Sequence, residues 1–421
     1  PGSYTNVTCR LNCFFNGTIV PHGQSVVAYR DALTITPDTC GAYTETRICK
    51  NGNLSGSFTY SACQTANPPL SKANKQVIAN WVASLQYTDT ALPSYGAIKV
   101  SNGISAYEDG TNRPVYRITP YFTHLGLIGL IEAGLAKDAI LKSWIVWYLD
   151  HLDPTQGVPL DTWYGSDGTG ETVCPVAADA RQCNTVDAVD SSAALLFVVI
   201  EGYLRQGGDA SILTDRQTKI LTVINAMTKI IDASDGLSIA KQSYPIKYTL
   251  DNAEVYAGLV SLNNLTQLLP AGFLGKTNFA SLATRLAAAL DSTEPAGLAL
   301  TDQLYSSNKD MTNNKASVNL SNWYPDFMAQ IWPMIFNTTT SDRANRALGS
   351  LGQTVSDAIK AGDCNAVQAF TASIHEPVLA YALKRNNDPR FSPLASCIYS
   401  QTAPTFAWPF HVGHAGWLIR N

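Results

Sequence analysis

Charge is what this chain has least of. Only 15% of its 421 residues are Asp, Glu, Lys or Arg, and the net charge is -4. No run of Lys and Arg occurs, which argues against nucleic acid as a partner. Mild acidity is also a poor match for a strongly anionic polymer. Long apolar runs are missing too. The most apolar stretch, Ala193 to Ile200, is interrupted by Glu201 and falls short of the roughly 18–20 residues a membrane helix needs. No CxxC spacing occurs and histidine is scarce near the cysteines. Zinc ligation is therefore not expected, nor is any other metal or cofactor. The opening Pro1-Gly2-Ser3, without methionine or leader, is what a mature or trimmed chain would show.

Nine cysteines are present: Cys9, Cys13, Cys40, Cys49, Cys63, Cys174, Cys183, Cys364 and Cys397. Cys174 and Cys183 bracket a short loop, and Cys364 and Cys397 a longer one. Bracketing pairs predict disulfides, hence an oxidising compartment: secreted, periplasmic or cell surface. The odd count leaves one thiol over. Triplets such as Asn6-Val7-Thr8 and Asn264-Leu265-Thr266 fit glycan acceptors in a eukaryotic host.

Two parts follow one another. Residues 1–66 read as strands, at Ser25–Tyr29, Tyr43–Cys49 and Ser57–Tyr60, punctuated by Pro21-His22-Gly23 and Asn51-Gly52. So small a β module has little core, and its cysteines would supply the missing stability. Two prolines, Pro68 and Pro69, mark the boundary. Residues 67–421 read as helices, with apolar residues at three- and four-residue spacing. Starts are expected near Lys72, Arg117, Asp138, Asp187, Asp215, Leu250, Lys276, Ser321, Asp342, Cys364 and Pro409, with a further one near Asp388.

Every second helix is apolar around most of its girth: Ile118–Leu135, Ala193–Leu204, Val255–Leu269, Phe327–Phe336, Val367–Leu383 and Phe410–Ile419. Those between keep a polar face. A helix apolar all round is buried, and an amphipathic one covers it. The alternation predicts a mainly α fold, an (α/α)6 toroid with a small disulfide-stabilised β domain before it. An open helical solenoid is the other arrangement of such helices, but no fixed short repeat supports it.

In such a ring the inner helices run parallel, so their N-termini gather at one end with the unsatisfied N–H groups. Polar residues stand at these starts: Arg117, Tyr121 and His124; Asp187 and Asp190; Tyr248, Asp251, Asn252 and Glu254; Tyr324 and Asp326; Trp408 and His411. Asp187 or Asp251 alone would read as a helix cap. Asp190 and Glu254, one turn deeper on the same faces, make each a carboxylate pair. Asp251 with Glu254 also fits a capping box; Asp187 with Asp190 does so less well. Glycoside cleavage needs one acid to protonate the leaving oxygen and a second carboxylate to activate water or attack the sugar. Asp187, Asp190, Asp251 and Glu254 are therefore the catalytic candidates. Arg117 and Lys247 are candidate cationic neighbours, and Trp332 and Trp417 read as core. Asp161, Trp163 and Tyr164, in a Gly-rich insertion before the second inner helix, are candidates for a cleft wall.

The segment Cys13…Gly23-x-Ser25-Val26-x-Ala28-Tyr29…Cys40…Thr46-Arg47-x-Cys49-x-Asn51-Gly52-x-Leu54-Ser55-Gly56-Ser57…Cys63 resembles a small β module of bacterial exported and surface proteins. That resemblance implies an accessory, envelope-associated role. Tyr116–Gly129, Asp187–Leu195, Leu250–Gly258 and Pro409–Ile419 resemble segments of six-hairpin glycosidase-like proteins, which include glycoside hydrolases and some polysaccharide lyases. This resemblance implies the (α/α)6 fold and action on a polysaccharide or oligosaccharide. Three functions stay open: a hydrolase using the carboxylates, a lyase using His124, Tyr248, His375, His411 and Arg117, and a carbohydrate-binding surface protein without catalysis.

Overall fold

The computed structural model describes residues 11–30, 33–35, 40–66, 70–104, 106–107, 113–174, 184–301, 304–338, 342–371 and 376–421. The chain divides into two compact units, Pro1–Ser71 and Lys72–Asn421.

The first unit holds β1 (Cys13–Phe15), β2 (Thr18–Val20), β3 (Ser25–Tyr29), β4 (Leu33–Ile35), β5 (Thr44–Lys50), β6 (Asn53–Leu54) and β7 (Gln64–Ala66). β1 and β2 form a hairpin, β5 is central between β3 and β6, and β4 pairs in parallel with β7. The β5–β6 turn is Asn51-Gly52, both at positive φ, as a tight hairpin of right-twisted strands requires. Its core is small: Cys13, Phe15, Val20, Ala28 and Cys49, with Val26, Leu54 and Phe58 against it. Disulfides Cys13–Cys49 and Cys40–Cys63 tie it together. The strand expected at Ser57–Tyr60 is reduced to one bridge, Tyr60 to Tyr29. Arg47 instead reaches the carbonyls of Ser55 and Phe58, and Glu45 accepts from the amides of Ser57 and Phe58.

The second unit is mainly helical. Its helices are α1 (Lys72–Ser84), α2 (Pro120–Glu132), α3 (Asp138–Asp150), α4 (Val189–Arg205), α5 (Ser211–Thr214), α6 (Gln217–Thr228), α7 (Thr249–Leu265) and α8 (Phe279–Asp291). A wide turn, Trp323–Phe327, leads into α9 (Met328–Ile335). Then come α10 (Asp342–Gly349), α11 (Gln353–Ala361), α12 (Cys364–Thr371), α13 (Glu376–Arg385), α14 (Phe391–Thr402) and α15 (Val412–Ile419). Short strands lie between them: β8 (Ala106–Tyr107), β9 (Pro114–Ile118), β10 (Thr162–Gly165), β11 (Lys247–Tyr248) and β12 (Asn308–Lys309).

Packing among the apolar helices is cyclic. α2 lies against α4, α4 against α7, α7 against α9, α9 against α13, α13 against α15, and α15 against α2. The amphipathic helices cover them: α1 on α15, α3 and α6 on α4, α8 on α7, α10 on α9, α12 and α14 on α13. Backbone meets backbone where α15 returns to α2. A Cβ on Gly129 would stand 2.2 Å from the Gly416 carbonyl oxygen, and one on Gly416 would stand 2.1 Å from that of Leu125. On the α4–α7 contact, a Cβ on Gly258 would stand 2.7 Å from Ala194.

Several boundaries differ from the sequence expectation. Tyr116 and Arg117 do not open a helix. They lie in β9, whose Val115 and Ile118 are β-branched and fully buried. α2 starts only at Pro120, whose ring presets the first helical φ. Trp163 and Tyr164 lie in β10, paired with Arg117 and Tyr116, rather than in an open loop. The single helix expected over Ser341–Ala361 is two, whereas the one expected over Val367–Leu383 is described only as α12 and α13, on either side of residues outside the described set. The first breaks at Gly349-Ser350-Leu351-Gly352, where glycine disfavours helix. In the second, residues 372–375, including His375, lie outside the described residues. Cys364 and Cys397 are bonded as expected. Cys174 is bonded as well; Cys183 lies outside the described residues.

Two stability changes are expected. Gly416→Ala forces α15 away from α2 and should lower stability by about 3 kcal/mol, read as a fall in the urea midpoint at unchanged slope. Replacing Cys364 and Cys397 together by Ala opens a loop with a separation of 33 residues. The cost expected from chain entropy is about 3–4 kcal/mol, measured the same way.

Candidate active site

The polar residues predicted at the helix starts converge in part. Tyr121 is in the first turn of α2, Asp190 and Ser191 in that of α4, and Asp251 and Asn252 in that of α7. Tyr324 lies in the wide turn before α9. Backbone N–H groups and positive dipole ends favour carboxylates at such places.

Glu254 is fully buried. Its Oε1 accepts from the Tyr121 hydroxyl at 2.8 Å and from the Trp332 indole N–H at 3.0 Å. Burial pushes its carboxyl up to about 7, against the pull of Ser191, Tyr121 and Trp332. Asp190 is equally buried. It accepts from Ser238 Oγ at 2.6 Å and from the Ser191 amide at 2.8 Å. Burial outweighs those bonds, and with the charge of Glu254 added it raises Asp190 to about 8. Asp251 is only partly buried, and Asp187 is exposed. The Asp251 carboxyl is raised well above its ordinary range, first by burial, then by Asp190, Glu254 and Asp187. These four carboxylates therefore form one electrostatic group, two beneath and two towards solvent.

Tyrosines border it. Burial, followed by Asp251, Asp187 and Glu254, pushes the Tyr324 phenol up to about 12, while the side chain remains 58% exposed. The Tyr248 hydroxyl lies 3.1 Å from that of Tyr244, and their rings are stacked. Asn252 does not face a ligand. It is buried and ties Ser238 and Tyr248 together, accepting from the Ser238 amide at 2.7 Å and donating to the Ser238 and Tyr248 carbonyls.

Asp161 is buried in an ion pair with Arg117. Burial raises its carboxyl, Arg117 and Thr119 pull it down, and Asp187 pushes it up again. Asp161 thus borders the same group, and its charge occupies Arg117. The Arg117 guanidinium also lies over the Trp163 ring, 5.5 Å from its centroid.

Other predicted ligand contacts are interior. Trp163 and Tyr164 are buried; the Tyr164 hydroxyl accepts from the Trp147 indole at 3.2 Å. Neither offers a face to a sugar. His124 is fully buried beside Trp144 and Tyr148. Burial lowers it to about 3, so it is neutral and packed. Asp326 is buried, accepting from the Asn319 amide and the Asn322 side chain, which shapes the turn before α9. His411 caps α15, accepting from the Gly413 and His414 amides, and stacks on His414 at 3.6 Å. Trp408 is 65% exposed.

Sequence reading missed Ser191, Ser238 and Tyr244, and placed Trp332 in the core. Ser191 adjoins Asp190, a signal that was present. Ser238 carries none, because it meets Asp190 only through folding. Among the described residues, no cluster of three or more His, Cys, Asp or Glu has the arrangement of a metal site.

No family model matches the sequence, and no curated protein does. Solved structures do match in fold. A wild-type glycosidase aligns with 83% of this chain and 98% of its own at 12% identity, TM-score 0.50. A glutamate-to-alanine variant of a glycosidase aligns over the same shares at 13% identity, TM-score 0.51. The chain is thus similar in fold to glycosidases.

The raised carboxyls set a pH dependence. Asp190 and Glu254 hold protons when folded up to about 8 and about 7, whereas in the unfolded chain they release them near 3.8 and 4.5. In between, the folded state binds more protons, so stability falls as pH rises. The melting temperature should decline from acid to neutral pH, and Asp190→Asn should flatten that decline. A melting temperature that rises steeply over this interval would contradict the assignment.

Proposed function

We propose that the helical unit is an (α/α)6 toroid and a glycoside hydrolase acting on a polysaccharide or oligosaccharide. Asp251 is the general acid, giving its proton to the departing glycosidic oxygen. Asp187 is the second carboxylate, which activates water or attacks the sugar. The observation that carries this is the division within the group. Asp251 and Asp187 reach solvent at successive helix starts, while Asp190 and Glu254 lie buried below. Burial first, then Asp190, Glu254 and Asp187, raise the proton affinity of Asp251, which is the direction a general acid requires. The cyclic contacts of α2, α4, α7, α9, α13 and α15 support the toroid, and the glycosidase likeness in fold is consistent with it. Tyr324, Tyr244 and Tyr248 are placed to stack on sugar rings.

The lyase chemistry has less support. His124 is buried and neutral, and Arg117 is committed to Asp161. A uronate would enter a field of carboxylates. The disulfides support residence in an oxidising compartment, secreted, periplasmic or at the surface. The first unit is proposed as an accessory module associated with the cell envelope.

Asp251→Asn and Asp187→Asn should each lower turnover of a cleaved polysaccharide by roughly 10²–10⁴-fold, while circular dichroism stays unchanged. Wild-type protein should release reducing ends without the ultraviolet absorbance of an unsaturated uronate. A rise in that absorbance would establish a lyase. Saturable binding with no turnover, indifferent to Asp187→Asn, would establish a binding protein.

A further inference from the structure

The other end of the helical unit carries a feature that carbohydrate cleavage does not use. A cavity of about 390 Å³ lies where α2, α13 and α15 end, beside the first turn of α1. Lys75, Lys384, Arg385 and Arg420 line it, with Glu132 and Tyr381. Tyr121 and Glu132 stand at opposite ends of α2, so this end lies about 16 Å from Tyr121.

Part of the positive charge has a structural cause, because helix C-termini expose carbonyls and partial negative charge. Lys384 donates to the Arg420 and Asn421 main-chain oxygens, and Arg385 donates to Asn337 Oδ1 at 2.5 Å. Arg420 Nε pairs with Glu132 at 3.2 Å, and its guanidinium lies over Trp417, 4.2 Å from the centroid.

Those contacts leave a remainder. The Arg420 side chain is only 3% exposed, yet its Nη2 is buried without a hydrogen-bond partner. A buried guanidinium N–H left unpaired is costly. Lys75 makes no hydrogen bond or ion pair among the described residues. It also faces Lys384: burial depresses both ammonium groups, and the charge of Lys75 depresses Lys384 further. Four cations around the cavity share one carboxylate, Glu132.

We propose that this cavity binds the phosphate or sulfate group of a small molecule. A tetrahedral oxyanion offers acceptors to Arg420 Nη2, Lys75 and Lys384 at once, and its double charge relieves the lysine pair. The volume leaves room for an organic portion against Tyr381.

The test is calorimetric titration of the whole chain with inorganic phosphate, inorganic sulfate and a hexose monophosphate, each against sodium chloride of equal ionic strength. Saturable binding is expected above the chloride control. Lys75→Gln should weaken it roughly tenfold while leaving the melting temperature of the ligand-free protein unchanged. Tighter binding of the hexose phosphate makes the organic ester the ligand; equal binding makes it the bare oxyanion. No binding at millimolar concentration overturns the proposal. So does binding that neither Lys75→Gln nor Lys384→Gln alters.

Discussion

One carboxylate oxygen joins three helices. Oε1 of Glu254 on α7 receives the Tyr121 hydroxyl from α2 and the Trp332 indole from α9. A buried carboxylate with too few donors costs several kcal/mol or takes up a proton. Glu254 sits between those outcomes, at about 7. Its position fixes how α2, α7 and α9 approach one another. Its charge, with that of Asp190, adds to burial in raising the proton affinity of Asp251. Packing and electrostatics of the site thus meet at one side chain. Loss of either donor would leave the oxygen under-satisfied and push Glu254 further towards protonation, altering the site without touching a residue that reaches solvent.

Much of this architecture was legible from composition along the helices. α2 and α4 are apolar around their girth because both sides meet other helices, and sequence shows that directly. The carboxylates were legible for a related reason: Asp190 and Glu254 lie one turn inside apolar helices, where capping explains Asp187 with Asp190 less well than Asp251 with Glu254. The sequence misled where local pattern and tertiary pairing compete. Tyr116-Arg117-Ile118 carries helix-compatible spacing, but pairing with Thr162–Gly165 draws it into a strand. The same pairing buries Trp163 and Tyr164, which their glycine-rich surroundings had suggested were exposed. Burial of an aromatic in a two-residue-period strand depends on its partner strand, and no local signal states the partner. His124 failed likewise. A histidine near a helix start reads as functional, yet the next turn of α2 already faces Trp144 and Tyr148.

The polarity of the inner helices gives the two ends opposite chemical character. Starts collect anions and ends collect cations, since each offsets the local dipole. At the starts the carboxylates exceed what the dipoles explain, because they also push against one another. At the ends the cations do the same. In both places like charges lie closer together than stability alone favours. Surplus charge of that kind is a common mark of a site that meets a ligand, and here the surplus has opposite sign at the two ends.

Acid catalysis at neutral pH needs a carboxyl that keeps its proton yet can lose it. Solvent exposure alone would leave Asp251 ionised, and full burial would leave it unreachable. The observed arrangement separates these demands between residues. Asp190 and Glu254 take the burial, with Ser238 donating to Asp190, and Tyr121 and Trp332 to one oxygen of Glu254, whose other oxygen is buried without a partner. Asp251 is partly exposed, and its proton affinity is raised first by burial, then by Asp190, Glu254 and Asp187. Arg117, just before α2, is held by Asp161. If Arg117 were released towards the group, its positive charge would lower Asp251 and favour ionisation. In the proposed hydrolase the Asp161–Arg117 pair would keep this cation from lowering Asp251, and a field of carboxylates would repel ionised sugars.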